Sequence, residues 1–125
     1  MKNKQEIKWL AKPESHNYPA ALSYLSLIYS ITVAKKFIVE LRKARVENFK
    51  AKDIFRASAL SLLGISNSHV KKDRMKIKNR TALSPILLVR SSANGKVIIA
   101  DGYHRLFAVY SFNEDAIIPC KIVGG

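Results

Sequence analysis

Asp101-Gly102-Tyr103-His104-Arg105 places the residue types of anion chemistry side by side. The run follows the apolar stretch Val97-Ile98-Ile99-Ala100 and precedes Leu106, Val109 and Tyr110 at helical spacing. It therefore reads as a strand, a sharp turn and the first turn of a helix. Gly102 lets the backbone turn tightly and a ligand approach closely. The first N–H groups of the helix carry partial positive charge and favour anions. Arg105 supplies a planar fork of donors suited to phosphate oxygens, and His104 adds a donor or a proton shuttle. Asp101 could orient either of them, bind a metal, or cap the helix. Taken by spacing alone, the same run also fits a capped helix with an exposed basic turn.

Other chemistry-bearing residues are sparse. The histidines are His16, His69 and His104. Glu14 and His16 lie two residues apart in an irregular segment anchored by Trp9, Pro13 and Tyr18, where they could reach the site as an acid–base pair or serve as ordinary loop caps. No grouping of His, Asp and Glu has metal-ligand spacing, so no metal residues are assigned. Cys120 is alone, which excludes an intrachain disulfide and a multi-thiolate zinc cluster; on the closing strand it reads as a small buried hydrophobe.

Charge adds a second signal. The formal net charge is +13, and residues 35–80 hold 14 of the 22 basic side chains with four of the nine acids. The densest run, Lys71, Lys72, Arg74, Lys76, Lys78 and Arg80, whose first five are the candidate nucleic-acid contacts, falls on and just after a helix predicted from about His69 to Asn79, with Ser66, Asn67 and Ser68 as candidate caps. Its apolar stripe is thin, chiefly Val70 and Ile77, so most of its surface faces out. Such a surface attracts polyanions, nucleic acid included, although solvated lysines give the same pattern. No aromatic residue interleaves the run, so base stacking and sequence readout are not indicated there.

These residues need a frame to position them. Met1 to Lys8 reads as a frayed tail. An apolar stripe at Leu22, Leu25, Ile28 and Tyr29 predicts one helix, and Val33, Phe37, Leu41 and Ala44 a second, capped by Thr32. Lys52 to Arg56 reads as a short strand and Ala57 to Gly64 as a loop. Pro85 to Val89 and Val97 to Ala100 form a hairpin about Asn94-Gly95. Ile117 to Val123 closes the chain, with Pro119 tolerated at an edge or bulge. The expected class is α+β: a small mixed sheet flanked by helices over residues 49–125, preceded by a helical hairpin over residues 1–48.

The succession of Pro85–Val89, a glycine turn, Val97–Ala100, Asp101-Gly102-Tyr103-His104-Arg105-Leu106-Phe107-Ala108 and Ile118-Pro119 resembles the ParB/sulfiredoxin superfamily. Its members share a small α/β domain whose Gly-x-His/Arg-Arg-x-x-Ala motif grips nucleotide phosphates. The resemblance implies that Gly102, Tyr103, His104 and Arg105 line a phosphate site, with Ala108 packing the helix on the sheet. It further implies that Ser66, Asn67, Ser68 and His69 offer a second helix N-terminus opposite. His104, Arg105 and Asp101 would be the catalytic candidates, and ATP or CTP with magnesium the cofactors, none tightly bound. Tyr103 stands where sulfiredoxins carry cysteine, which removes thiol chemistry. The glutamate base of the free-serine kinases has no counterpart in Arg56-Ala57-Ser58-Ala59, Asp53 being the nearest acid. The partition proteins' helix-turn-helix is not present in the 125 residues.

Three functional classes stay open on these grounds. They are a nuclease or nucleotide-dependent phosphoryl-transfer enzyme, a binding module for nucleotide or nucleic acid, and an adaptor that retains the motif without using it. A homodimer is compatible with each. No apolar run reaches membrane-spanning length, and a cytoplasmic protein is the plain expectation.

Overall fold

The computed structural model describes residues 6–59 and 68–124, and for Ser68 and His69 the backbone alone. Among these residues the elements run α1 (Asn17–Leu25), α2 (Ile31–Lys43), β1 (Glu47–Lys50), α3 (Ala51–Ser58), α4 (Ser68–Lys78), β2 (Ile86–Ser91), a 3-10 turn at Ser92–Asn94, β3 (Lys96–Asp101), α5 (Tyr103–Phe112) and β4 (Ile117–Gly124). The chain is an α+β protein with a mixed sheet. Its strand order is β1-β4-β2-β3, antiparallel at both outer pairs and parallel between β2 and β4.

Both faces of the sheet are covered, which explains the unbroken apolar run of β2. Leu87 and Val89, with Ile98 and Ala100, meet Tyr18, Ala21 and Leu25 of α1 and Ala34, Ile38 and Leu41 of α2. Ile86 and Leu88, with Ile99, Ile118, Cys120 and Ile122, meet α3, α4 and α5 on the other side. Neighbouring residues of each strand thus serve opposite cores, as the two-residue period requires. Register is firmly set: a one-residue slip would exchange the two cores.

Several local expectations change. Lys52 to Arg56 is helical, not extended. Ala51, Ile54, Phe55 and Ser58 are its buried residues, a spacing of three and four that only a helix turns to one side. The α3 N-terminus is satisfied by the loop before β4, since Ala51 and Lys52 donate their amides to the carbonyls of Ala116 and Glu114. The strand precedes this helix as β1. Helix α2 is capped by Ser30, whose hydroxyl accepts from the Val33 amide, and not by Thr32. Its buried stripe runs through Ala34, Ile38 and Leu41, one residue on from the expected Val33 and Phe37, and Val33 is exposed. On α1 the buried apolar residues are Tyr18, Ala21 and Leu25, while Ile28 lies beyond the helix and is exposed.

Lys8 is not frayed: its carbonyl accepts from the Leu83 amide, and Leu10 donates to the Leu83 carbonyl. Pro119 stands on an interior strand, β4, but one residue before that strand's register with β2 begins at Cys120. The stripe of α4 is as thin as expected, with Val70 and Ile77 buried. No helix among the described residues is long and apolar enough to cross a membrane.

Candidate phosphate cleft

A cleft of about 950 Å³ runs along β3, one of the two edge strands of the sheet among the described residues. Lys96 to Asp101 form its floor, Ala20, Tyr24 and Ile28 one wall, and Ser58 with Lys72, Asp73 and Lys76 the other. Gly102, Tyr103, His104 and Arg105 close one end. The volume is near the upper end for small-molecule pockets. Covering the sheet on both faces creates it: α1 on one side and α3 and α4 on the other overhang a strand edge.

Gly102 is required at the turn for two separate reasons. Its φ of 110° lies in the left-handed region, and a Cβ there would meet Arg105 Nη2 at 2.7 Å and Ile86 Cγ1 at 3.0 Å. As the N-cap of α5 it brings no side chain to cover the amides of the first turn, so their partial positive charge faces the cleft end. Gly102→Ala is expected to lower stability by about 2 kcal/mol, the cost of a left-handed β-carbon plus displacement of Arg105. Urea denaturation measures it.

Arg105 is placed differently from a simple phosphate fork. Its Nη2 donates to Asp101 Oδ2 at 3.2 Å and to the Pro85 carbonyl at 3.5 Å, and its side chain is only 16% exposed. Its Nε is buried without a hydrogen-bond partner. The guanidinium lies folded against Gly102, tying the end of β3 to the start of β2. Burial pushes the Asp101 carboxyl above the ordinary aspartate value, against the charge and hydrogen bond of Arg105 and the charge of His16. The direction means that folding favours the protonated acid, so this group adds stability as pH falls through its range and subtracts it above.

His16 thus comes within electrostatic reach of Asp101. The cause is local: Glu14 donates its amide to Ser84 Oγ at 3.0 Å, and that hydroxyl bonds the Asn17 side chain. Ser84 precedes Pro85, whose carbonyl holds Arg105, so the segment before α1 is stitched to the root of the motif. His16 and Glu14 are exposed and 3.9 Å apart.

The basic helix divides its residues. Lys72 and Lys76, one turn apart, line the cleft; Lys71 and Lys78 are exposed without lining it, and Arg74 Nη1 donates to Ser111 Oγ on α5. Ser66 and Asn67 lie outside the described residues, as do the side chains of Ser68 and His69. Asp53 pairs with Arg56 on the surface of α3, away from the cleft lining. Cys120 is buried, with its thiol pushed up to about 12 by burial and by Glu47, which removes thiolate chemistry. Among the described residues no group of three or more His, Cys, Asp or Glu could hold a metal.

Comparisons with protein-family models, with curated proteins and with solved structures each find no match to this chain. The site therefore speaks through its own chemistry. Sequence reasoning missed Lys96, Tyr24 and Ile28 as lining residues. Lys96 carried a usable signal, a cation directly after the Asn-Gly turn. Tyr24 carried none, because only the packing of α1 against β3 brings it to the cleft.

Proposed function

We propose that the cleft along β3 binds the phosphate groups of a nucleotide or nucleic acid. One observation carries the reading: Lys72 and Lys76 from one wall and Lys96 from the floor, distant in sequence, converge with the glycine-opened first turn of α5 on a single cleft. Ammonium groups and helix-terminal amides are the donors that phosphate oxygens take. Arg105 serves this site from behind, by holding the turn. The resemblance of Asp101–Arg105 to the ParB/sulfiredoxin phosphate motif supports the same reading.

Isothermal titration with ATP, CTP and inorganic tripolyphosphate, with and without magnesium, tests the proposal. Saturable binding of all three is expected, weakened by Lys96→Glu and by His104→Ala. Heat from none of them, with no binding of plasmid DNA, would remove it. Magnesium would arrive with its phosphates: the cleft carboxylates are Asp73 and Asp101, and Asp101 is engaged by Arg105.

Turnover is the second reading, favoured by Asp101, a half-buried carboxyl lining the phosphate end of the cleft whose proton affinity burial raises, with His16 within electrostatic reach. The same incubations followed by chromatography for nucleoside diphosphate, and by gel for nicked plasmid, decide it. Product lost in Asp101→Asn and His16→Gln establishes an enzyme; binding without product leaves a module.

A further inference from the structure

The fold does in three dimensions what the basic run does not do in sequence: it brings lysines and aromatic rings to one cleft. Tyr24 of α1 and Tyr103 of α5 both line the cleft that holds Lys72, Lys76 and Lys96. Both rings are large apolar surfaces left open, 45% and 42% exposed. Tyr103 packs against two neighbouring rings. Its ring lies 4.2 Å from the His104 imidazole at 31°, and stands edge-on to Phe107 at 6.0 Å. A tyrosine held by packing on its neighbours loses little freedom when a second planar group stacks on it.

We infer that Tyr103 and Tyr24 are stacking platforms for nucleobases, and that the ligand of the cleft is a single-stranded nucleic acid. The inference rests on the phosphate reading and deepens it. Lysines track a backbone while aromatic rings take bases, the combination by which single strands are held without sequence preference. A duplex keeps its base faces inside its own stack, and a bare polyphosphate has none. Every residue of β3, from Lys96 to Asp101, lines the cleft, a length that suits a strand of several nucleotides. This gives the N-terminal helical hairpin a role, because Tyr24 is its contribution to the site.

Fluorescence anisotropy with a labelled thymidine oligonucleotide, an abasic oligonucleotide of equal length and a duplex of matched length tests the inference. Wild type is expected to bind the base-bearing single strand at least about tenfold more tightly than the abasic one. Tyr103→Ala should close most of that gap, Tyr24→Ala part of it, and Tyr103→Phe should keep it, since the ring alone is needed. Both tyrosines are exposed, and far-ultraviolet circular dichroism verifies that each variant is folded. Equal affinity for the base-bearing and abasic strands, or a gap that survives both alanine variants, overturns the stacking role. A duplex that binds more tightly than the single strand overturns the ligand assignment. Inorganic tripolyphosphate added as competitor reports separately on the phosphate reading: displacement of the abasic strand upholds it even where stacking fails.

Discussion

Arg105→Ala is expected to cost about 3–5 kcal/mol of stability, the penalty for breaking a buried ion pair by removing one partner. Arg105 and Asp101 have side chains only 16% and 19% exposed, and the guanidinium is the group that spans Asp101, Gly102 and the Pro85 carbonyl. Without it the Asp101 carboxylate is left in a site whose burial already works against its charge. The two influences of Arg105 that lower the Asp101 pKa disappear together, so the acid rises further and the variant loses most stability at neutral pH. Urea denaturation at pH 7 and at about pH 4.5 measures both effects; the deficit should be smaller at the lower pH. Arg105→Lys should recover part of the loss, since it restores charge without the fork. A variant that binds poorly but melts like wild type would instead make Arg105 a direct phosphate ligand.

Lys72→Glu/Lys76→Glu is expected to weaken binding of a single-stranded oligonucleotide by about a hundredfold, at roughly 1.5 kcal/mol or more for each charged hydrogen bond to phosphate that is removed. Both side chains are exposed on α4, one turn apart, so stability should change by less than about 0.5 kcal/mol. The slope of log affinity against log salt should fall in magnitude by about 0.7 for each lysine contact to a single strand that is removed. Lys71→Glu/Lys78→Glu carries the same change in net charge on residues that do not line the cleft. Anisotropy titrations across a salt series separate the two: equal losses in both pairs would mean diffuse attraction by a +13 chain and no defined site.

The contrast between these variants shows what a sequence can carry. Strands β2 and β3, the turn at Gly95 and helix α5 were legible because their signals are local: apolar runs bounded by Asn94-Gly95 and Asp101-Gly102. Helix α3 was not, since Ile54 and Phe55 side by side mimic a strand until Ala51 and Ser58 are seen to share their face. The stripe of α2 was displaced by one residue, about 100° of helix, because Val33, Phe37 and Leu41 repeat at helical spacing just as Ala34, Ile38 and Leu41 do, and only packing against Leu87 and Val89 decides between them.

The motif's five residues line the cleft, but the direction of Arg105 could not be read from them. That direction is set by Pro85, 20 residues earlier, and by the space that Gly102 leaves. The cleft itself was illegible for the same reason. Tyr24, Lys72 and Lys96 share no local pattern, and only the packing of α1 and α4 about one strand edge brings them together.

The central claim is that phosphate is bound at the α5 end of the β3 cleft. Titrating inorganic tripolyphosphate into the isotope-labelled protein and following backbone amide shifts tests it most directly. The expected result is saturable movement of the Gly102, Tyr103, His104 and Arg105 amides together with those of Lys72, Lys76 and Lys96. Amides of Lys71, Lys78 and the exposed face of α2 should stay still. Shifts spread evenly over the basic surface, or none at Gly102 to Arg105 at saturating ligand, would contradict the account.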